Sequence, residues 1–291
     1  MLTSLLTRVC FGEIARRPDS EIDFTVAAAL IAEEEYPDLR PSDILGQLQD
    51  IAARAPRLEG SARERATLLA HHLFVTEGFR PNETSYDDPA NSYLNVVLST
   101  RLGIPISLSL VLIEVGALLG LPLAGIGFPR RFLVGLPGDD DFYIDPFDRG
   151  RMRGAAGCRR LFRQLGGVDA DWTPEFLAPS SRKQIVQRML RNLKEVFLRA
   201  GDVPRCLAAA QKLSALEPSD LDEIRDRGVL SLHGGAWVRA LADLETYLAG
   251  KPGAEDAELI RRHCRVLRRH IVDAGVDALA AAAQTLEHDP S

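Results

Sequence analysis

The densest run of apolar positions lies at residues 104–122, I-P-I-S-L-S-L-V-L-I-E-V-G-A-L-L-G-L-P, and it is apolar on nearly all sides. That pattern predicts a helix over about 106–119 that forms the buried centre of a domain. Pro105 suits its first turn, where a missing N–H costs nothing, and Gly120 with Pro122 stops it. Three amphipathic helices are predicted upstream. The first covers 21–36, capped by Ser20, with Phe24, Ala27, Ala28, Ile31 and Ala32 at helical spacing before Pro37. The second starts near Pro41 and ends near Pro56, with Ile44, Leu45, Leu48 and Ile51 on one face, and the third runs from 61 through Leu68, Leu69, His72 and Leu73 to Gly78. A polar stretch over 79–90 is read as a long loop. Asn91 or Ser92 is placed to cap a short helix over 93–102, ended by Gly103.

From Leu123 the period shifts toward two. A-G-I-G-F, R-F-L-V-G-L and F-Y-I-D-P-F read as three short strands in hairpins, with the acidic run Asp139–Asp141 in a solvated turn. Residues 150–167 read as a surface segment with a short helix near 159–165, and 171–182 as a linker holding Pro174 and Pro179. Beyond it the chain superposes on itself. Leu198 meets Leu232, Gly201 meets Gly235, Leu207 meets Leu241 and Pro218 meets Pro252, each pair 34 residues apart. That is the tetratricopeptide period. Two repeats fit 185–252, and 255–286 is read as a capping helix or two. The expected class is α+β: a helical N-terminal region and a core with a small antiparallel sheet over 1–170, then a helical repeat unit over 183–291.

Composition narrows the partners. A net charge of -6 and a pI near 5.6 disfavour a nucleic-acid backbone, which needs clustered excess cations. No helix-turn-helix or basic recognition helix points to DNA. The basic residues Arg149, Arg151, Arg153, Arg159, Arg160 and Arg163 form the one cationic region and are expected to make a solvated face. Cys10, Cys158, Cys206 and Cys264 lie far apart with no C-x-x-C spacing, as expected of reduced thiols in a cytoplasmic protein. The first ten residues lack a basic n-region and a long apolar h-region. The run at 104–122 is interrupted by Glu114, two serines and two prolines, which fits a core helix rather than a membrane span. No metal or cofactor is expected. His71 and His72 are adjacent and point to different helix faces, and the same holds for His263 and Cys264.

A buried helix, then a small sheet, then an Asp in a D-P-F turn is the layout of a papain-like or transglutaminase-like core. The strings N-S-Y-L-N at 91–95, G-I-P-I-S-L-S at 103–109, G-x-x-L-G-L-P at 116–122, G-I-G-F-P at 125–129 and I-D-P-F at 144–147 resemble the bacterial SirB-type family over residues 20–285. That resemblance implies a transglutaminase-like domain followed by tetratricopeptide-like repeats. In active transglutaminase-like proteins a cysteine in G-x-C opens the central helix. Here Gly103-Ile104-Pro105 occupies that place, so Pro105 stands for the thiol. Many SirB-type relatives carry a His in a P-G-H-F strand, where this chain has Arg131. The carboxylate position survives as Asp145.

Proline offers no nucleophilic atom, and arginine stays protonated and cannot act as a general base. The six histidines are His71, His72, His233, His263, His270 and His288, so none lies on the expected sheet to stand in. In a serine protease, loss of one triad member costs on the order of a million-fold in turnover. The favoured reading is therefore a non-enzymatic protein- or peptide-binding regulator on a degenerate scaffold. The second reading is a hydrolase or acyltransferase acting on an amide or ester, with a non-standard site around Ser107, Glu114, Arg131 and Asp145. Arg131 and Asp145 are expected to form an ion pair in the old cleft. Asn91, Tyr93 and Asn95 are candidates for recognition or for anchoring the loop before the central helix. Ser107 and Ser109 are expected to bond the local backbone, and Glu114 to meet an Arg or to carry a raised pKa.

Overall fold

The computed structural model describes residues 2–168 and 171–287; His288 lies outside them. The chain divides into two compact units, one up to Val196 and one from Phe197 onward.

The first unit is built on the predicted central helix. Helices α1 (Leu2–Arg16), α2 (Phe24–Ala32), α3 (Pro41–Ala53), α4 (Ala62–His71) and α5 (Leu94–Thr100) precede α6 (Pro105–Leu118). Every residue of α6 from Pro105 to Ile113 is buried. It packs on α3, α4 and α5 and on a four-stranded antiparallel sheet. The strands are β3 (Ala124–Ile126), β4 (Leu133–Leu136), β5 (Asp139–Asp145) and β6 (Arg151–Arg153), in that spatial order, and a short parallel pair, β1 (Arg80–Pro81) with β2 (Leu102–Gly103), lies upstream. Helices α7 (Ala155–Gln164) and α8 (Arg182–Arg199) follow.

Several local expectations are corrected. Asp23, not Ser20, caps α2: its Oδ1 accepts from the amides of Thr25 at 2.8 Å and Val26 at 3.2 Å, and the helix ends at Ala32. Asn91 and Ser92 do not cap α5; they sit in a 3-10 turn, Pro89–Ser92, that Asp88 caps. The chain turns at Arg101, which takes φ 63°, before reaching Gly103. The acidic run is not a solvated turn. Pro137 and Gly138 make the turn, and Asp139–Asp141 open β5, where Asp139 pairs with Arg63 and Asp141 accepts from the Ala155 amide at 2.7 Å to start α7. The fourth strand, β6, lies inside the segment expected at the surface. It pairs with β5 in the register Tyr143↔Arg153 and Asp145↔Arg151. Residues 171–181 are held down: the Ser180 amide donates to Gly125 at 2.8 Å, Ile126 bridges Pro179, and Trp172, Phe176 and Leu177 pack on the core around Phe128 and Phe162.

The second unit repeats itself as the 34-residue spacing requires. It holds α9 (Val203–Leu216), α10 (Leu221–His233), α11 (Trp237–Gly250) and α12 (Ala257–Glu287). Gly201 and Gly235 take φ 70° and 75°. Each donates to the residue three before it, Leu198 at 3.1 Å and Leu232 at 3.2 Å, and the next amide reaches back five residues at 2.9 Å in both copies. These are matched helix stops in the left-handed region, where glycine carries no Cβ penalty. Ala240 is fully buried, and a Cβ on Gly228 would stand 2.9 Å from Leu244, so both small residues serve close helix packing. Among the described residues no helix is long and apolar enough to cross a membrane.

Candidate functional site

The first turn of α6 is stitched to two other segments. Ser107 Oγ accepts from the Ile104 amide at 3.1 Å, and its proton is directed at the Asn91 carbonyl, 2.7 Å away, with the Ile104 carbonyl at 3.2 Å. Ser109 Oγ lies 2.7 Å from the Pro105 carbonyl and 3.2 Å from that of Phe132. Both hydroxyls are buried. Among the described residues the partners of Ser107 are backbone groups, so the expected local bonding is what the helix start contains.

Asn91 in turn holds the loop before it. Its Nδ2 donates to the carbonyls of Ser85 at 2.6 Å and Tyr86 at 3.2 Å, and its Oδ1 accepts from Asn82 at 2.9 Å. The pinned loop carries Tyr86 edge-on to Phe147, with ring centroids 5.8 Å apart. Tyr93 packs edge-on against Tyr36 at 5.6 Å. Asn95, in the first turn of α5, has a buried Oδ1 with no partner among the described residues.

Asp145 is fully buried, and its expected pairing with Arg131 is not the one formed. Arg153 donates to Oδ2 from Nε at 3.2 Å and from Nη2 at 3.1 Å, the Asp148 amide donates to Oδ1 at 3.2 Å, and Arg153 also binds Asp148 at 2.7 Å. The cause is β6, which brings Arg153 alongside β5. Arg131 lies in the loop before β4, after Arg130 has turned into the left-handed region, and its Cζ stands 4.5 Å over the Phe147 ring. Burial pushes the Asp145 carboxyl above its ordinary range, and the charges of Arg131 and Arg153 pull it back. Arg131 thus acts on Asp145 through space while stacked on an aromatic ring.

Glu114 belongs to a different place. It sits two turns beyond Ser107, about 10 Å along the axis by the rise of a helix, so the structure does not gather the four residues of the enzymatic reading into one site. Its side chain is 14% exposed, and among the described residues its one ion-pair partner is Arg182 at 4.0 Å. Burial pushes its carboxyl up to about 7. Cys158 is buried among Ile126, Phe128 and Tyr143, and burial pushes it up to about 12, far from the thiolate that a nucleophile requires. Among the described residues no three His, Cys, Asp or Glu side chains cluster as metal ligands.

Sequence reasoning missed Arg153, Tyr86, Phe147 and Arg188. The alternation Arg151, Met152, Arg153 after the D-P-F turn was the available signal for β6 and its inward arginine. Tyr86 was a single aromatic in a polar loop, and nothing local marked it. Tyr86 keeps 45% of its surface in solvent, yet its hydroxyl lies among protein atoms, which raises the phenol pKa; Arg188 of α8 and then Arg131 pull it down. The second unit has a separate concavity of about 450 Å³, lined by Trp237, Val238 and Arg239 at the start of α11 and by Ile271, Ala274 and Gly275 of α12.

Comparison with known proteins follows this division. The Transglutaminase-like superfamily model matches residues 42–191 and the Tetratricopeptide repeat model matches 193–265. The chain is 36% identical over 260 residues to a UPF0162 protein of Xylella fastidiosa, covering 87% of this chain and 92% of that one. It is 31% identical over 214 residues to a UPF0162 protein of Pseudomonas aeruginosa, covering 72% and 77%. Human F-box only protein 21 is 33% identical over 175 residues, 53% of this chain and 27% of its own length. No solved structure matches.

Proposed function

Because the chain belongs to the UPF0162 (SirB-type) family, in which a transglutaminase-like domain is followed by tetratricopeptide helices, we propose that it acts by binding a protein or peptide and not by acyl transfer. The observation that carries this reading is the start of α6. Pro105 stands where a nucleophile would, and the hydroxyl of Ser107 in the same turn is buried and engaged by the backbone of Ile104 and Asn91. Asp145, which would orient a catalytic base, is instead hydrogen-bonded to Arg153. A scaffold whose reactive positions are occupied by such internal bonds keeps its shape as a recognition surface. Repeats of the tetratricopeptide kind generally mediate protein–protein interaction, and their stacked helices present a concave face suited to an extended segment. The setting is expected to be cytoplasmic, with no cofactor.

The intact protein is assayed for hydrolysis of p-nitrophenyl acetate and for amine incorporation into casein, beside Ser107→Ala and Asp145→Asn. No turnover above buffer, with all three proteins alike, is expected. Turnover that either substitution abolished would overturn the proposal and favour an acyl-transfer enzyme.

A further inference from the structure

The helical hairpin of the second unit does not recur after α11. Counting 34 residues on, Arg262 stands where Gly228 allows close packing, and Arg269 stands where Gly235 stops its helix. With neither the small residue nor the left-handed stop, α12 runs on through position 269. It reaches 31 residues, against 13 in α10 and 14 in α11. Its inner seam is regular. Ile260, Cys264 and Leu267 are buried with Ala240, Leu244 and Tyr247 of α11, and Ile271 and Ala274 follow at the same alternation of four and three. In the sequence that count continues to Ala278, Ala281 and Thr285, the 3.5-residue period by which two helices pair.

The continuation of the seam runs past α11. That helix begins at Trp237, whose ring lies 5.5 Å from that of His270, one residue before Ile271. Beyond this contact the concavity of about 450 Å³ opens between residues 235–239 and Ile271, Ala274 and Gly275. Trp237 keeps 37% of its surface in solvent, Val238 71% and Val272 63%. A terminal repeat is closed by a polar outer face, so apolar surface gathered at this end marks a place of contact.

Charge along α12 selects what covers it. Residues 257–270 hold Arg261, Arg262, Arg265, Arg268 and Arg269 against Glu258, whereas 271–287 hold Asp273, Asp277 and Glu287 and no Lys or Arg. Arg239 adds a further cation at the concavity. A second α12 laid parallel on the seam sets each of these acids beside its own copy. Laid antiparallel, it spreads the acids apart and carries Glu287 at each tip toward Arg239 and Arg269 at the base of the other. The helix is therefore complementary to itself in one direction, as an isologous contact requires.

We infer that two copies of the chain pair through residues 271–287 of α12, antiparallel and centred on Ala278, each tip covering the other's concavity beside Trp237 and Val238. Alanine along the seam lets the two helices approach closely, and Leu286 near each tip supplies an apolar side chain for the concavity. Two short helical segments bury less than a standard interface, so the pairing is expected in the micromolar range.

The test is sedimentation of the full chain from about 1 to 200 µM. The mass should rise with concentration from 31.9 kDa toward twice that value. Ala278→Glu puts a charge into the seam and Val238→Glu puts one into the concavity. Both should keep the circular dichroism of the parent and weaken association roughly tenfold or more. Direction is read by oxidation in a Cys10→Ser background, which removes the exposed thiol. Ala278→Cys should give a linked dimer, and Thr285→Cys should not, because Thr285 faces Ile271 across the pair. A monomer at every concentration would overturn the inference, whether 271–287 folded back or a different protein covered the face. So would a dimer that neither charge substitution weakens, or linkage through Thr285→Cys in place of Ala278→Cys, the mark of parallel pairing.

Discussion

The two ends of the central helix treat their buried polar groups in opposite ways. At the first turn every such group is matched: Ser107 and Ser109 bond backbone carbonyls, and Asp145 beside it takes hydrogen bonds from Arg153 and from the Asp148 amide. Toward the other end Glu114 is nearly as buried, yet its one cation stands 4.0 Å away and it makes no hydrogen bond among the described residues. A reactive group in an enzyme is commonly one whose protonation is left poised. Here the poised acid lies about two helical turns from Ser107, whose hydroxyl is taken up by backbone groups. The hydrogen-bonded polar groups therefore lie at one end of α6, and the acid with the raised pKa lies toward the other.

The largest effect should come from breaking the matched end. Arg153→Met leaves Asp145 buried without its main hydrogen-bond donor, and urea unfolding should show a loss of about 3–5 kcal/mol, the range for removing one partner of a buried pair. Asp145→Asn in the same chain should recover part of it. Arg131→Met forfeits a ring contact and a charge that acts on Asp145 at least as strongly as that of Arg153, but no hydrogen bond to it, so it should cost less, about 2 kcal/mol. If Arg131 proved the costlier of the two, Arg131 and not Arg153 would be the partner of Asp145.

Glu114 supplies the next effect. The folded-state pKa of about 7 lies above the ordinary value of 4.5, so below pH 4.5 the acid is protonated in both states and carries no penalty. As pH rises from 4.5 to about 7 the unfolded chain ionises while the folded chain holds its proton, and stability falls by about 3 kcal/mol before levelling off. Glu114→Gln should flatten that slope in urea titrations taken across the window. An unchanged slope would mean that Arg182 closes on the carboxylate and keeps it ionised, making the two ends of the helix alike.

How much of this was legible beforehand depended on whether the signal was local. The buried run of α6, the 34-residue repeat and the places of Pro105 and Asp145 stood in the sequence because periodicity and chain order carry them. Arg153 did not stand out. Its role follows from a strand pairing across the Asp145–Arg151 turn, and its basic neighbours Arg149 and Arg151 made the segment look like a solvated face. Tyr86 and Arg188 are separated by about a hundred residues and share surroundings only after folding, so no spacing rule joins them. The caps went astray for a smaller reason. Ser20 and Asp23 are both competent N-cap residues in one turn, and the choice between them was made by the side chain that could also bind Thr25 Oγ1, at 2.6 Å.

Ser107 tests the comparison from the matched end with the smallest change. Replacing its hydroxyl by hydrogen leaves the Ile104 amide and the Asn91 carbonyl without their shared partner inside the core. Each is a buried backbone group, so Ser107→Ala should destabilise by about 1–3 kcal/mol, and it should loosen the 82–88 loop that Asn91 holds. Amide exchange separates this from a catalytic role. A structural staple predicts faster exchange at Ile104 and through the Tyr86 loop with no acyl turnover to lose, whereas a nucleophile predicts unchanged exchange and lost turnover. The two outcomes cannot be confused, because the same oxygen cannot be both a buried acceptor for Ile104 with its proton on Asn91 and a free nucleophile open to a substrate.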